Sequence, residues 1–193
     1  MDSFSMLLHK EFYYIRHGQT DWNAKGLMQG FTDIPLNDTG RKQAYEAAES
    51  IKHVKIQTIC ASPLGRALET AQILNQVLNC EIVIIDDLKE AGFGNQEGLV
   101  DDGWFEAWKD GEFTPEGAET RQVFIERAAN AVNTAINRPG PVLIAAHGGL
   151  YGAIKHHFDL PDYEPLPNCA LCHHTPPNLE SPIWQRRFVN KIN

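Results

Sequence analysis

The chemistry of this chain starts from three consecutive residues, Arg16, His17 and Gly18, placed directly behind the apolar run Phe12-Tyr13-Tyr14-Ile15. An aromatic and β-branched run of that length predicts a buried strand, and Gly18 releases the chain into a loop. A guanidinium and an imidazole then stand side by side at a strand's carboxyl end, the edge where open α/β sheets hold ligands. The guanidinium is a fork for phosphate, and neutral imidazole is a nucleophile at neutral pH. The adjacent cation is expected to lower the pKa of His17 and keep it neutral. Alone the tripeptide has little specificity, so its meaning depends on what the rest of the chain brings beside it.

Three further apolar runs end in residues of matching chemistry. Ser62 to Arg66 follow Thr58-Ile59-Cys60-Ala61, Glu90 follows Glu81 to Ile85, and His147 follows Val142-Leu143-Ile144-Ala145-Ala146. In a parallel sheet all carboxyl ends share one edge, which gathers two histidines, two arginines and a carboxylic acid. Arg66 also lies near a helix start, where free backbone N–H groups favour an anion. This set suits phosphoryl transfer: the arginines and His147 neutralise the phosphoryl oxygens, His17 attacks in line, and Glu90, if protonated, protonates the departing alcohol. No metal and no other cofactor is called for, because the cations already present do that electrostatic job. A metal alternative through Asp86-Asp87 or Asp101-Asp102 is disfavoured, since adjacent carboxylates point in different directions.

The elements that must position these residues follow from periodicity. Asp38 or Thr39 is expected to cap a helix through Gln43, Ala44, Ala47, Ala48 and Ile51. Pro63 suits the first turn of a second helix carrying Leu64, Ala67, Leu68, Ala71, Ile73, Leu74 and Leu78. Glu81 to Ile85 reads as a short buried strand. A short helix is expected near Trp104 to Lys109 and a long one from near Glu119 to Ile136, ended by Arg138-Pro139-Gly140. After His147-Gly148-Gly149 a helix runs to about Phe158, followed by a Pro-rich loop and strands near Cys169 to His174 and Trp184 to Val189. The alternation predicts an α/β fold with a mainly parallel central sheet and helices on both faces. Residues 1–193 are expected to form a single domain, with 91–118 as a small cap segment over the carboxyl edge.

Bulk properties narrow the partners. A net charge of −8 in 193 residues argues against nucleic acid and anionic membrane surfaces, which need clustered Lys and Arg. Neither a secretory leader nor an apolar stretch long enough to span a bilayer is read from the sequence. Four cysteines, Cys60, Cys80, Cys169 and Cys172, without secretory context point to reduced thiols and a cytoplasmic protein. The expected partners are a small phosphorylated substrate and, if the aromatic-rich stretch is exposed, a second copy of the chain in a homodimer.

Taken together the ordered motifs resemble the histidine phosphatase superfamily, in its phosphoglycerate-mutase-like branch (branch 1). They are Arg16-His17-Gly18-Gln19-Thr20-Asp21-Trp22-Asn23, Gln29-Gly30, Asp33-Ile34-Pro35-Leu36, Gly40 to Ala44, Ser62-Pro63-Leu64-Gly65-Arg66-Ala67 and Glu69-Thr70-Ala71. Leu88-Lys89-Glu90, Gln96-Glu97-Gly98, Pro115 to Glu119, His147-Gly148-Gly149, Asn168 and Trp184 to Asn190 continue the likeness. The resemblance implies that His17 becomes phosphohistidine and that Glu90 is proton donor, then base toward water. It implies that Arg16, Arg66 and His147 bind the phosphoryl group, and that Thr20, Asn23, Gln29, Gly30 and Gly148 help line the pocket. Leu27 departs from the family pattern, which often has an arginine there. Residues 91–118 also depart, with seven carboxylates and only Lys109 as a cation. An acidic cap is expected to repel a polyanion, which favours a phosphatase of monoesters over a phosphoglycerate-type mutase. Trp104, Phe105, Trp108 and Phe113 could meet an apolar leaving group or serve as the cap's own packing.

Rival readings remain open on sequence alone. Cys60 to Arg66 has the bare Cys-x5-Arg spacing of cysteine-dependent phosphatases, although Pro63 removes a backbone donor from that loop. Cys169, Cys172, His173 and His174 carry haem-attachment and zinc-like spacings, against which strand alternation sends the two cysteines to opposite faces. A non-catalytic module that binds a phosphorylated ligand is the third alternative.

Overall fold

The most apolar run of the chain, Val142–Ala146, is the fully buried strand from which the computed structural model is best understood. The structure describes residues 8–157, 160 and 166–190; the expected helix end near Phe158 and part of the Pro-rich loop lie outside them. Six strands form one sheet: β1 Phe12–Arg16, β2 Thr58–Ala61, β3 Glu81–Ile84, β4 Val142–Ala146, β5 Leu171–Thr175 and β6 Gln185–Phe188, in the order β3-β2-β4-β1-β5-β6. The first four in that order are parallel, β5 runs antiparallel to β1, and β6 runs antiparallel to β5 and so in the direction of the first four. The strands alternate with helices α1 Asp21–Ala24, α2 Asp38–Ile51, α3 Gly65–Leu78, α4 Trp104–Lys109, α5 Arg121–Ile136 and α6 Gly148–His157.

Period-two alternation divides the core into two layers. Along β4, Val142, Ile144 and Ala146 join α5 and α6 on one face, while Leu143 and Ala145 join α2 and α3 on the other. Both faces of the central strands are thereby dry, which is why these runs are continuously apolar rather than alternating. The helix faces turned to the sheet are rich in alanine: Ala44, Ala47 and Ala48 on α2 and Ala128, Ala131 and Ala135 on α5.

Local details differ from the sequence expectations. The cap of α2 is Asn37, whose side chain accepts from the Gly40 N–H at 2.8 Å, rather than Asp38 or Thr39. Pro63 lies just before α3; that helix has no side-chain cap of its own, and the Asp33 carboxylate accepts the Gly65 N–H from a distant loop. The α5 helix starts at Arg121 behind Thr120, leaving Glu119 outside it. The β3 strand is an edge rather than a buried strand, with Ile84 53% exposed, because only β2 pairs with it. The loop after β1 contains α1, closed by a Thr20–Asn23 capping box.

The core also holds neutral histidine. His174 stacks on Phe12 and lies 3.0 Å from the Tyr151 hydroxyl, and burial, followed by Arg186, pushes its pKa down to about 3. Unfolded histidine takes a proton near pH 6.5, so the unfolded state binds the extra proton as pH falls. We expect His174 to reduce stability by about 1.4 kcal/mol per pH unit between about pH 6.5 and 3. Denaturant unfolding of wild type and His174→Leu should therefore give a shallower acid slope in the variant; parallel profiles would contradict it.

Candidate active site

Strand register brings the histidines together. Arg16 pairs with Ala146 across β1 and β4, and the next amide, His17 N–H, donates to the Ala146 carbonyl at 2.9 Å. The residues that follow, His17 and His147, therefore leave adjacent strands at the same level, with ring centroids 5.3 Å apart. On the other side of β4, Ser62 N–H donates to the Ala145 carbonyl, and Ser62 Oγ lies 2.8 Å from His147 Nε2. Tyr14 Oη donates to the His147 carbonyl at 2.7 Å, and Asn168 Nδ2 donates to the His17 carbonyl at 3.0 Å.

Tautomer and charge then follow. His17 Nδ1 is 2.7 Å from the Gly18 carbonyl, which can only accept, so Nδ1 carries the proton and Nε2 keeps a lone pair. His17 is 3% exposed, and its pKa is held well below the ordinary histidine value by burial first, then by Arg16 and Arg66. The sequence expectation named only the neighbouring cation; desolvation is the larger cause. His147 is lowered likewise, by burial first, then by Arg66 and His17.

Two guanidiniums flank these rings, Arg66 fully buried and Arg16 half-buried. Arg66 is fully buried and donates to the Gly30 carbonyl at 2.8 Å and the Thr32 carbonyl at 2.9 Å, with Asp33 at 3.8 Å. Arg16 Nη1 donates to the Leu166 carbonyl at 2.7 Å. Both have lowered pKa values, chiefly from burial, which the Glu90 carboxylate opposes. Among the described residues, the buried Arg16 Nε, Arg66 Nε and His147 Nδ1 have no hydrogen-bond partner. Three unpaired nitrogens around one imidazole are costly, at about 1–3 kcal/mol each, and an oxyanion is the ligand that would satisfy them. The helix-start site expected for an anion near Arg66 is taken by Asp33 at the Gly65 N–H.

Glu90 reaches this group from the loop after β3. Its carboxylate accepts from the Gly149 N–H at 2.8 Å and from its own neighbour, the Ala91 N–H, at 3.1 Å. A side chain at position 149 would collide with that carboxylate. Arg127 on α5 fixes the loop, donating to the carbonyls of Asp87, Lys89 and Glu90 at 2.8, 2.9 and 2.9 Å while its other edge grips Glu119. Sequence reasoning placed Arg127 only on a helix face, because its partners lie 37 to 40 positions away.

Of the remaining pocket candidates only Gly148 borders the cleft beyond Glu90; the others hold the wall around Arg66. Thr20 is buried and caps α1, its hydroxyl 3.0 Å from Gln29 Oε1, and Asn23 completes the capping box. Gly30 has φ +56°, and a Cβ there would run into Glu97. That carboxylate accepts from the N–H groups of Phe31, Thr32 and Phe93 and so shapes the loop whose carbonyls hold Arg66. Gly148 opens α6 beside the Arg16 guanidinium.

Beyond Glu90 lies a cleft of about 340 Å³. Arg16, Glu90, Gly148 and Gly149 border it, with Phe93, Phe105, Trp108 and Phe124 as an aromatic wall. Trp104 and Trp108 are buried and pack on Phe93, and Trp108 Nε1 donates to the Glu119 carbonyl at 2.8 Å. Phe113 is 46% exposed and does not border the cleft. Contrary to the expectation of an acidic cap facing the substrate, the carboxylates of 91–118 do not border the cleft. Asp101, Asp102, Glu106, Asp110, Glu112 and Glu116 are exposed, Glu97 is tied to backbone, and none of the seven borders the cleft. Lys109, Arg121 and Lys155 do. Composition gave the segment's charge but not the direction in which it points.

The rival motifs separate in space. Cys60 Sγ faces α5, donating weakly to the Ala135 carbonyl, and burial pushes its thiol up to about 12. Cys169 packs with the α2–α3 layer and Cys172 with the α5–α6 layer; His174 stacks on Phe12, and His173 stacks on Tyr13. Among the described residues no group of three or more His, Cys, Asp or Glu converges to hold a metal ion.

What the sheet edge offers is a place for a phosphoryl dianion against an unprotonated imidazole, which puts the chain among α/β proteins that handle phosphoryl groups. The family comparison makes the class specific: the "Histidine phosphatase superfamily (branch 1)" matches residues 12–176, and the chain belongs to that superfamily. It is 38% identical over 143 residues to "Uncharacterized phosphatase PhoE" of Bacillus subtilis, covering 72% of each chain. It is 31% identical over 179 residues to "Probable phosphoglycerate mutase GpmB" of Cronobacter sakazakii, covering 83% of this chain and 82% of that one. The solved mycobacterial glucosyl-3-phosphoglycerate phosphatase in complex with VO3 superposes with a TM-score of 0.78 at 26% identity, over 93% of this chain and 97% of that one. Among the described residues no helix is long and apolar enough to cross a membrane.

The Arg127 clamp makes a testable statement about Glu90. Arg127→Lys keeps a charge but cannot span three carbonyls, and misplacing a reacting group by about 1 Å can cost roughly 100-fold. We expect the loss in kcat to be large for an alkyl phosphate, whose alkoxide must be protonated, and much smaller for 4-nitrophenyl phosphate. Equal losses on both substrates would show that Arg127 does not act through Glu90.

Proposed function

We propose that this chain is a metal-independent phosphomonoesterase that works through a phosphohistidine on a small phosphorylated metabolite. The observation that carries the reading is the set of unpaired buried nitrogens, Arg16 Nε, Arg66 Nε and His147 Nδ1, around an imidazole whose Nε2 lone pair is left free by the Gly18 bond. The phosphoryl oxygens take the two guanidiniums and His147, which supply the charge stabilisation a metal would otherwise give. His17 Nε2 attacks phosphorus in line, the P–O bond to the alcohol breaks, and Glu90, in its protonated form, gives the departing oxygen its proton and becomes a carboxylate. Water then attacks the phosphohistidine, Glu90 takes the water's proton, and inorganic phosphate leaves with His17 restored. Thr20, Asn23, Gln29 and Gly30 act by holding the loop that seats Arg66, and residues 91–118 act as the cap that selects the alcohol. The four unpaired thiols support a cytoplasmic setting.

A phosphoglycerate-type mutase is the second reading. It is favoured by the likeness to the GpmB protein and by Lys109, Arg121 and Lys155 among the described residues that border the cleft.

The test is a phosphoester panel with acid-quench and base-quench detection of phosphoenzyme. Wild type should form an acid-labile, base-stable phosphoenzyme and release phosphate. His17→Ala should lose both, with turnover down ~10³-fold or more, and Cys60→Ala should keep both. Phosphate release by His17→Ala would sink the mechanism. Absence of phosphoenzyme and turnover in wild type would mark a binding module, and interconversion of 3- and 2-phosphoglycerate would select the mutase.

A further inference from the structure

Ser62 leaves β2 one residue past the paired strand, and its N–H donates to the Ala145 carbonyl at 3.0 Å. Three neighbouring strand ends thus carry Ser62, His147 and His17 side by side, the two rings 5.3 Å apart. Ser62 is fully buried, and its hydroxyl has two contacts among the described residues. Its oxygen accepts the Leu64 N–H at 3.3 Å, and His147 Nε2 lies 2.8 Å away. An amide N–H can only donate, so it takes a lone pair of Oγ and leaves the hydroxyl hydrogen one acceptor, the lone pair of Nε2. The reverse arrangement, Nε2–H donating to Oγ, would bury that hydrogen unpaired.

The choice decides what His147 can do. Burial, then Arg66 and His17, keep the ring neutral. An imidazolium donates from either nitrogen, but a neutral ring donates from one only. Nδ1 has no partner among the described residues, so it offers an oxyanion either a hydrogen or a repelling lone pair. A serine at this distance from a histidine also fits an activated nucleophile, but such a base needs a third group to orient it, and nothing holds Nδ1. We propose that Ser62 is a positioning residue whose hydroxyl fixes His147 as the Nδ1–H tautomer, so that Nδ1 presents a hydrogen to the phosphoryl oxygens. The inference rests on the phosphatase reading and deepens it, by assigning how His147 binds without a charge of its own.

Two-bond ¹H–¹⁵N correlation on ¹⁵N-labelled protein reads the tautomer directly, with the His147 signals identified by their loss in His147→Asn. Wild type should carry the His147 proton on Nδ1, and Ser62→Ala should move it wholly or partly to Nε2. Calorimetric affinity for inorganic phosphate should fall roughly tenfold in Ser62→Ala, and kcat/KM should fall with it. Because His147 meets the phosphoryl group and not the alcohol, that loss should be equal for an alkyl phosphate and for 4-nitrophenyl phosphate, unlike the loss in Arg127→Lys. In His147→Asn the side-chain amide donates whatever stands at position 62, so adding Ser62→Ala there should cost little phosphate affinity. An equal cost in both backgrounds would make Ser62 a structural residue and overturn the inference, as would a wild-type His147 protonated on Nε2. If wild type turns over no ester, yet shows the Nδ1–H tautomer and loses phosphate affinity in Ser62→Ala, the phosphatase reading fails and the role of Ser62 stands. If wild type turns over esters while Ser62→Ala changes neither tautomer nor phosphate affinity, the reverse holds.

Discussion

One buried and one half-buried guanidinium beside two uncharged imidazoles are the constraint on which the rest of this structure depends. Burying an ion costs several kcal/mol even after relaxation. Arg66 and Arg16 offset that cost with carbonyls of loops far away in sequence, those of Gly30, Thr32 and Leu166, and with the nearby carboxylates Asp33 and Glu90. The offset is incomplete, because an Nε on each arginine stays unpaired. The same burial that strains the arginines keeps His17 and His147 neutral. Positive charge and an available lone pair therefore coexist a few ångströms apart, without a proton moving to quench the nucleophile. In the proposed mechanism a dianion relieves the arginines and is attacked by the imidazole, so the cost of holding these groups together and the affinity for a phosphoryl group have one origin.

Holding loops at this edge is a problem of unsatisfied backbone, and the chain solves it repeatedly with carboxylates. Asp33 takes the Gly65 N–H, Glu97 takes three N–H groups around the Gly30 turn, and Glu119 takes the Gly92 N–H while gripping Arg127. Glu90 itself accepts two. Some of the acidic excess of the composition is therefore spent inside, on geometry, rather than on the field around the protein. That is why net charge was a poor guide to which residues border the cleft.

The legible part of the site was the part that topology determines. A residue directly after an apolar run in a parallel sheet has its location determined once the fold class is known. Arg16, His17, Arg66, Glu90 and His147 could accordingly be placed at one edge from the sequence, and the β1–β4 register brings His17 and His147 side by side there. What stayed hidden depends on contacts between distant segments. Nothing near Arg127 in sequence signals the three carbonyls it binds, and Arg121 reads as an ordinary first-turn residue until Trp108 and the cleft appear beside it. Small errors have equally local causes. Asn37, Asp38 and Thr39 are all capping types, so the choice among them needs the backbone angle that only Asn37 adopts. The exposure of β3 follows from its place at the sheet edge, which periodicity does not encode.

Glu90 gains its meaning from standing at a boundary. On one side are the buried cations and the imidazole, and on the other are Phe105, Trp108 and the cleft. In a phosphomonoester the bond that breaks joins those same two regions, with a polar group of nearly constant shape on one side and a variable alcohol on the other. A proton donor must touch the bridging oxygen and therefore belongs where the two meet. Anchoring Glu90 through backbone, by Gly149 on α6 and by the Arg127 clamp on α5, leaves its position independent of which alcohol fills the cleft. The proposed catalytic edge is thereby held in the same geometry whichever alcohol the cleft takes.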